Sequence, residues 1–317
     1  MSINSLLTTF LKDKVEPDTE RERIKEAHTA IREMVEDLLG DVLENSFVMG
    51  SYKRHTLVRR LSEEEKYDVD VMFVLNAEED LEGLLDTMEA IARSIVDQVD
   101  EIDSYRRQKV SIGLLYNDNF NIDLVPAQLN DDGTYNIYDD REQKPVKTNP
   151  LKHIEVISAL NIERGELLKP LIKLVKRWKQ ENAIKTMKSF HLEMLAVAVF
   201  ENRNITNLTE GLKTFFNEAR TLTENRIQIV DPVGGHDISG YLDSEDDPQR
   251  ANAIASLSLA AESFNDATKA ESDSDTTLAN RALGRIYSEF KSEEDESISD
   301  SISSTLSESS APRPWTS

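Results

Sequence analysis

The sequence predicts an α+β fold in which a mixed sheet with flanking helices precedes a mainly helical lobe, the two halves meeting across a cleft. Three observations carry that prediction. Residues 67–75, YDVDVMFVL, are dense in β-branched and aromatic side chains and form the best strand in the chain. Two further runs, KVSIGLLY and FNIDLVPA, flank Asn117-Asp118-Asn119 and read as a β-hairpin. From about residue 151 to 290 apolar positions recur at helical spacing. A chain of 317 residues can bury a sizeable core and suggests two domains or one bilobal unit. The expected division is 1–150 for the sheet-bearing core with its long N-terminal helix, 151–291 for the helical lobe and 292–317 for a tail.

Taken in order, Pro17 to Leu43 carries Ile24, Ala27, Ile31, Met34, Val35 and Leu38 at helical spacing and ends at Gly40, which predicts a long amphipathic helix. The short apolar run SFVMGSYKRHTLV is broken by Gly50-Ser51, and an acidic loop, SEEEK, precedes the strand. Residues 77–97 return to helical periodicity. Beyond Pro126 a Pro-, Gly- and Asn-rich segment runs to Pro150. Pro170 opens a helix in which Leu171, Leu174, Val175 and Trp178 form an apolar stripe beside a basic one, Lys169, Lys173, Lys176 and Arg177. Ser189 reads as the N-cap of a helix over 190–200. The tail is Ser-rich, acidic and poor in apolar residues, so disorder is expected from roughly residue 292.

Composition removes several function classes. A net charge of -23 and a pI near 4.7 argue against gripping long nucleic acid, which needs clustered Lys and Arg, but leave small nucleotides open. The absence of cysteine excludes thiolate chemistry, disulfides and cysteine zinc sites. The opening MSINSLLTTFLKDK lacks the basic and long apolar regions of a signal peptide, and no apolar run approaches a membrane span. A soluble, cytoplasmic protein is expected.

The chemistry concentrates in the strands. Asp68 and Asp70 sit at i and i+2, so a strand presents both carboxylates on one face while Val69, Val71 and Phe73 enter the core. Side by side they would repel, and a cation is the usual partner that keeps both ionised. Asp123, in NIDLV, alternates the same way, and a polar residue in an apolar strand needs a partner. If the hairpin strand neighbours the 67–75 strand, three carboxylates converge on a site for two Mg²⁺ ions, with Mn²⁺ an acceptable substitute. Asp123 is then the candidate general base or metal ligand. Gly50 and Ser51 supply small residues for close phosphate approach, with Arg54 adding a cation and Thr56 a hydroxyl.

A long helix, then apolar-Gly-Ser, then Asp-Val-Asp on a strand and a third Asp on a hairpin together resemble the DNA polymerase β-like nucleotidyltransferase superfamily. Within it the chain is most similar to the cGAS/DncV-like group, bacterial relatives of oligoadenylate synthase. The family pattern Gly-Ser-x-Ala-Arg-Gly-Thr is met as GSYKRHT, with Lys53 and His55 replacing small residues, and LIKLVKRW followed by SFHLEMLAV looks like the family's helical spine. The resemblance implies that Asp68, Asp70 and Asp123 are catalytic and hold the metal ions. It implies that Lys176, with Lys173 as a second candidate, and Ser189 bind the triphosphate tail. Asp231-Pro232 resembles a segment that closes the lobe beside the site. The implied activity is synthesis of a cyclic di- or trinucleotide messenger from NTPs, ATP among them, in antiphage signalling, with an accessory protein acting on the tail. Extension of RNA ends, as by CCA-adding or oligoadenylate-type enzymes, and a catalytically inactive nucleotide-binding module remain the alternatives.

Overall fold

The computed structural model describes residues 1–17, 21–76, 81–243 and 248–291. Helix α1 (Ile3–Phe10) begins where the Ser2 side chain accepts from the Ser5 amide, and it buries Ile3, Leu7 and Phe10 along one stripe before a π-helical turn, Leu11–Val15. Helix α2 (Arg21–Leu39) buries Ile24, Ile31 and Val35 of the expected stripe together with His28 and Leu39, half-buries Ala27 and Met34, leaves Leu38 exposed, and ends at Gly40, whose φ is +53°. There follow β1 (Leu43–Val48), α3 (Gly50–Arg54), β2 (Tyr67–Leu75), α4 (Leu84–Val96), β3 (Ile102–Arg107), β4 (Ile112–Tyr116) and β5 (Phe120–Leu129). The acidic loop between α3 and β2 folds on Arg60, which donates to the Glu63 and Glu65 carbonyls.

The sheet order is β1-β2-β5-β4-β3, with β2 and β5 parallel and the other pairs antiparallel. The expected hairpin is β4–β5, with Leu115 opposite Asn121 and Ile112 opposite Leu124. The Pro-, Gly- and Asn-rich segment after Pro126, to which the sequence assigns no element, continues the sheet. Strand β5 runs through Pro126 to Leu129 and there pairs with β6 (Tyr135–Asp139), which pairs with β7 (Lys144–Thr148). Pro126 is tolerated because β4 pairs only as far as Leu124 and β6 starts at Gln128, so the missing N–H falls between two partners.

One sheet face packs Val69, Val71, Phe73, Ile122 and Leu124 against α2 and α4. The opposite face carries a small apolar cluster, Met72, Val74, Val125 and Ala127, at the far end of the strands from the acids. The second half contains α5 (Pro150–Glu163), α6 (Leu168–Glu181), α7 (Ser189–Phe200), α8 (Leu208–Glu224), α9 (Gln249–Ser272) and α10 (Thr276–Gly284). Ile3, Leu7, Phe10, Leu11 and Val15 join the core of these helices, so the first turns of the chain pack with the helical lobe and not with the sheet. No helix among the described residues is long and apolar enough to cross a membrane. The Ser-rich tail, the start of the 77–97 helical pattern and residues 18–20 and 244–247 lie outside the described residues.

Candidate active site

The parallel register of β2 and β5 sets Asp68 opposite Asn121 and Asp70 opposite Asp123. The alternation that buries Val69, Val71, Ile122 and Leu124 therefore places the three acids on the other face. Asp123 is buried, Asp70 half-buried, and Asp68 reaches solvent. Burial, then the Asp70 and Asp68 charges, push Asp123 up to about 7, with Arg106 and Gln108 opposing. Asp70 rises to about 6 through burial, which outweighs the pull of Arg54, and Asp68 adds to the rise. Asp68 is also raised by desolvation, against its hydrogen bond with Asn121. At neutral pH the group thus stands between holding and releasing a proton.

Two glycines make room for these carboxylates. Gly50 has φ +68°, and a Cβ there would overlap the Asp70 carboxylate. The Met49 amide fixes this approach by donating to the Asp70 carbonyl at 2.8 Å. Gly113 lies directly across from Asp123 on β4, where a Cβ would come within 2.8 Å of Asp123 Oδ1 and 2.6 Å of Gln108 Nε2. Those two atoms hydrogen-bond at 2.8 Å. Gln108 and Gly113 escaped the sequence reading, and no spacing rule marks either.

Gly50-Ser51 opens the one-turn helix α3, closed by His55 in the left-handed region, and is not a free turn. Ser51, Asp68, Lys176 and Ser189 together line a pocket of about 180 Å³, whose wall also carries Arg60, Lys66 and Gln180. Four separately expected residues, from α3, β2, α6 and α7, thus share one cavity. Ser189 is the first residue of α7, and the N-cap position falls to Lys188 without a side-chain bond, so the expected capping role is absent.

Arg54, Thr56 and Lys173 have other partners. Glu193 is fully buried on α7, where it accepts from Arg54 Nε at 2.7 Å, Thr56 Oγ1 at 2.9 Å and Lys176 Nζ at 3.1 Å. Lys176 also donates to the Thr56 carbonyl at 2.8 Å. Arg54 and Thr56 thereby tie α3 to the helical lobe beneath the pocket and do not line it. The network holds two cations against one carboxylate, and its excess positive charge acts on Asp70. Lys173 is paired with Glu16 at 2.9 Å, and Arg177 donates to the Lys14 carbonyl, so the expected basic stripe divides between the pocket and the N-terminal segment. Glu193 is the residue the sequence could have disclosed: one acid inside FHLEMLAVAVF must be paired if the helix is buried.

Three hard oxygen donors, all raised by burial and with Asp68 and Asp70 adding to the rise of Asp123, are a set that a divalent cation satisfies. Among the described residues, no three acidic or histidine side chains already close on a common point at ligating distance. Asp70 rests against Gly50, Asp123 holds Gln108 and Asp68 holds Asn121.

Beside Ser189, a cleft of about 720 Å³ opens between the β6–β7 hairpin and the loop after Asp231, with Lys109, Lys144, Lys147, Lys188 and Tyr241 on its walls. The Lys188 ammonium lies 4.5 Å from the centre of the Tyr241 ring. Asp231 is buried; His153 at 2.8 Å and the Val233 and Gly234 amides overcome that burial and hold it near 2, fixing the loop to α5.

With this arrangement in view, residues 1–161 match the model of the second messenger oligonucleotide or dinucleotide synthetase domain. The chain belongs to that family. A cyclic AMP-AMP-AMP synthase from Acinetobacter sp. (strain ATCC 27244 / 9458) is 30% identical over 178 residues, 53% of this chain and 50% of that protein. The chain thus spans half the length of that relative in the matched stretch. The CBASS oligonucleotide cyclase CdnC of Escherichia coli (strain KTE188) is 24% identical over 277 residues, covering 80% of this chain and 86% of its own. The fold matches that of E. coli MS115-1 CdnC, solved in complex with HORMA-deltaN, at a TM-score of 0.72 and 18% identity, covering 91% of this chain and 98% of that one. The α+β architecture, a polymerase β-like core with a helical lobe, is therefore that of the cGAS/DncV-like nucleotidyltransferases.

Proposed function

We propose that the chain joins NTPs, ATP among them, into a cyclic di- or trinucleotide messenger of the CBASS type, with Asp68, Asp70 and Asp123 as the catalytic acids. The observation that carries this reading is the in-register placement of Asp70 beside Asp123 on parallel strands, with Asp68 of the same strand lining a pocket together with Ser51, Lys176 and Ser189. The pocket suits a triphosphate: Lys66 and Lys176 offer cations, and Ser51 and Ser189 hydroxyls. The larger cleft suits nucleobases, with the Tyr241 ring as a stacking surface.

The attacking ribose hydroxyl forms a bond to the α-phosphorus, the bond to pyrophosphate breaks, and the hydroxyl proton passes to Asp123. Mg²⁺ held by the three aspartates would supply charge neutralisation at the phosphates. Gln108 orients Asp123, and the Glu193 network holds α3 beneath Ser51.

The family match and the two relatives support a cyclic product. The net charge of -23 weighs against tRNA as a substrate. Asp68 and Asp70 weigh against an inactive binding module, and an accessory protein acting on residues 292–317 fits an activated enzyme. The expected compartment is the cytoplasm. Incubating the full chain with the four NTPs and Mg²⁺ and resolving products by mass tests the reading. Cyclic oligonucleotides are expected, whereas incorporation only in the presence of tRNA would sink it.

A further inference from the structure

A second groove, of about 550 Å³, lies along the edge strand β1, between α2, α3 and the start of α5. In a chain of net charge -23, no Asp or Glu among the described residues lines it. Arg21, Lys25, His28 and Arg32 follow at i, i+4, i+7 and i+11 on one face of α2 and span about 16 Å, while Lys53 and His55 reach the groove from α3. Arg32 is occupied by Ser46 and Glu36, and Lys25 only approaches Glu22 at 4.0 Å. Arg21 and Lys53 have no ion-pair partner among the described residues. Their positive field is felt inside the groove: after burial, Lys169, Arg21, Lys173 and Lys53 hold His55 below its usual range.

The interior is apolar and aromatic. Tyr52 meets His28 edge-on, with ring centres 5.7 Å apart, and Leu57 and Leu151 add aliphatic surface. His28 is only 7% exposed. Two cations without an ion-pair partner beside an apolar, aromatic floor suit an anion that carries a ring. None of Asp68, Asp70, Asp123, Ser51, Lys176 or Ser189 lines this groove.

We propose that the groove is a second ligand site, for a small phosphorylated compound carrying a planar ring, of the nucleoside monophosphate class. Arg21 and Lys53 meet the phosphate, and Tyr52 and the leucines face the ring. A long polyanion fits less well: the remaining surface is acidic, and a phosphate backbone would gain nothing from the apolar floor. Because α3 carries Ser51 into the catalytic pocket and Lys53 into this groove, occupancy bears on the same short helix from its other side.

The test uses the full chain carrying Asp68→Asn and Asp70→Asn, in EDTA, titrated with AMP by calorimetry and footprinted with an amine-reactive reagent. AMP is expected to shield Lys25 and Lys53 from labelling. Arg21→Glu with Lys53→Glu, two exposed positions, is expected to weaken binding about ten-fold or more. Adenosine and inorganic phosphate are each expected to bind more weakly than AMP. Shielding of Lys66 and Lys188 alone, or an unchanged affinity in the double charge reversal, overturns the proposal. Equal binding of inorganic phosphate removes the ring requirement and overturns it too. Shielding of Lys25 and Lys53 by AMP only after removal of residues 292–317 would assign the groove to the chain's own acidic tail and overturn it likewise.

Discussion

Asp123 illustrates how one position carries chemistry at the expense of stability. Its carboxyl, at 3.8 in an unstructured chain, is pushed up to about 7 by burial and the neighbouring acids. The folded state therefore holds a proton that the unfolded state has lost, and stability falls as pH rises from about 4 to about 7. Asp123→Asn keeps an acceptor for Gln108 and removes the charge. It is expected to raise the thermal midpoint of the metal-free protein above pH 7, with the smallest gain near about pH 4, while abolishing synthesis. Scanning calorimetry across that range checks it, and an equal gain at every pH would sink the account. Glu193 is the opposite case. Glu193→Gln leaves Arg54 and Lys176 buried without a counter-charge, so a loss of about 3 kcal/mol or more is expected in chemical denaturation. Asp68, Asp70 and Asp123 were legible in the sequence because period-2 alternation makes an acid in an apolar strand conspicuous. Arg54 and Thr56 pair with Glu193 and Lys173 with Glu16, contacts the sequence did not disclose, because a residue type that suits phosphate equally suits a carboxylate and only packing decides between them.

At the scale of elements, the β4–β5 hairpin matters because it delivers Gly113 opposite Asp123. Gly113→Ala must displace Gln108 or Asp123, and a misplacement of that kind is expected to cost about a hundred-fold in turnover while circular dichroism stays unchanged. Turnover within a factor of about two of the parent would remove Gln108 from its positioning role. Strands with dense β-branched character were readable; β6 and β7 were not, since their Asn, Asp and Lys residues carry turn and surface signals. The place of α1 and the turn after it in the helical lobe was not readable, because the cluster joined by Ile3, Leu7, Phe10, Leu11 and Val15 is made mostly of residues from Ile157 onward. Removing residues 1–15 should expose that face and cost more than about 5 kcal/mol, read as a lowered denaturation midpoint with aggregation.

For the whole molecule, a chain of net charge -23 still gathers cations at two concave places, the catalytic pocket with its cleft and the groove beside β1. Cations focused in a low-dielectric cleft attract small anions even when the net charge repels long ones. The two-lobed organisation was visible from the change of periodicity near residue 150, but the seam was not. It is formed by Arg54, Thr56, Lys176 and Glu193, which lie up to 139 positions apart and share no pattern. Removing residues 292–317 is expected to leave intrinsic synthesis unchanged, and a large loss in the product assay would give the tail a direct catalytic part. The central claim is that in-register aspartates on β2 and β5 carry nucleotidyl transfer. Its most direct measurement is pyrophosphate release from ATP and GTP by the full chain and by the Asp68→Asn, Asp70→Asn double variant, both confirmed folded. Release by the parent and none by the variant is the predicted result; equal release by both would contradict it.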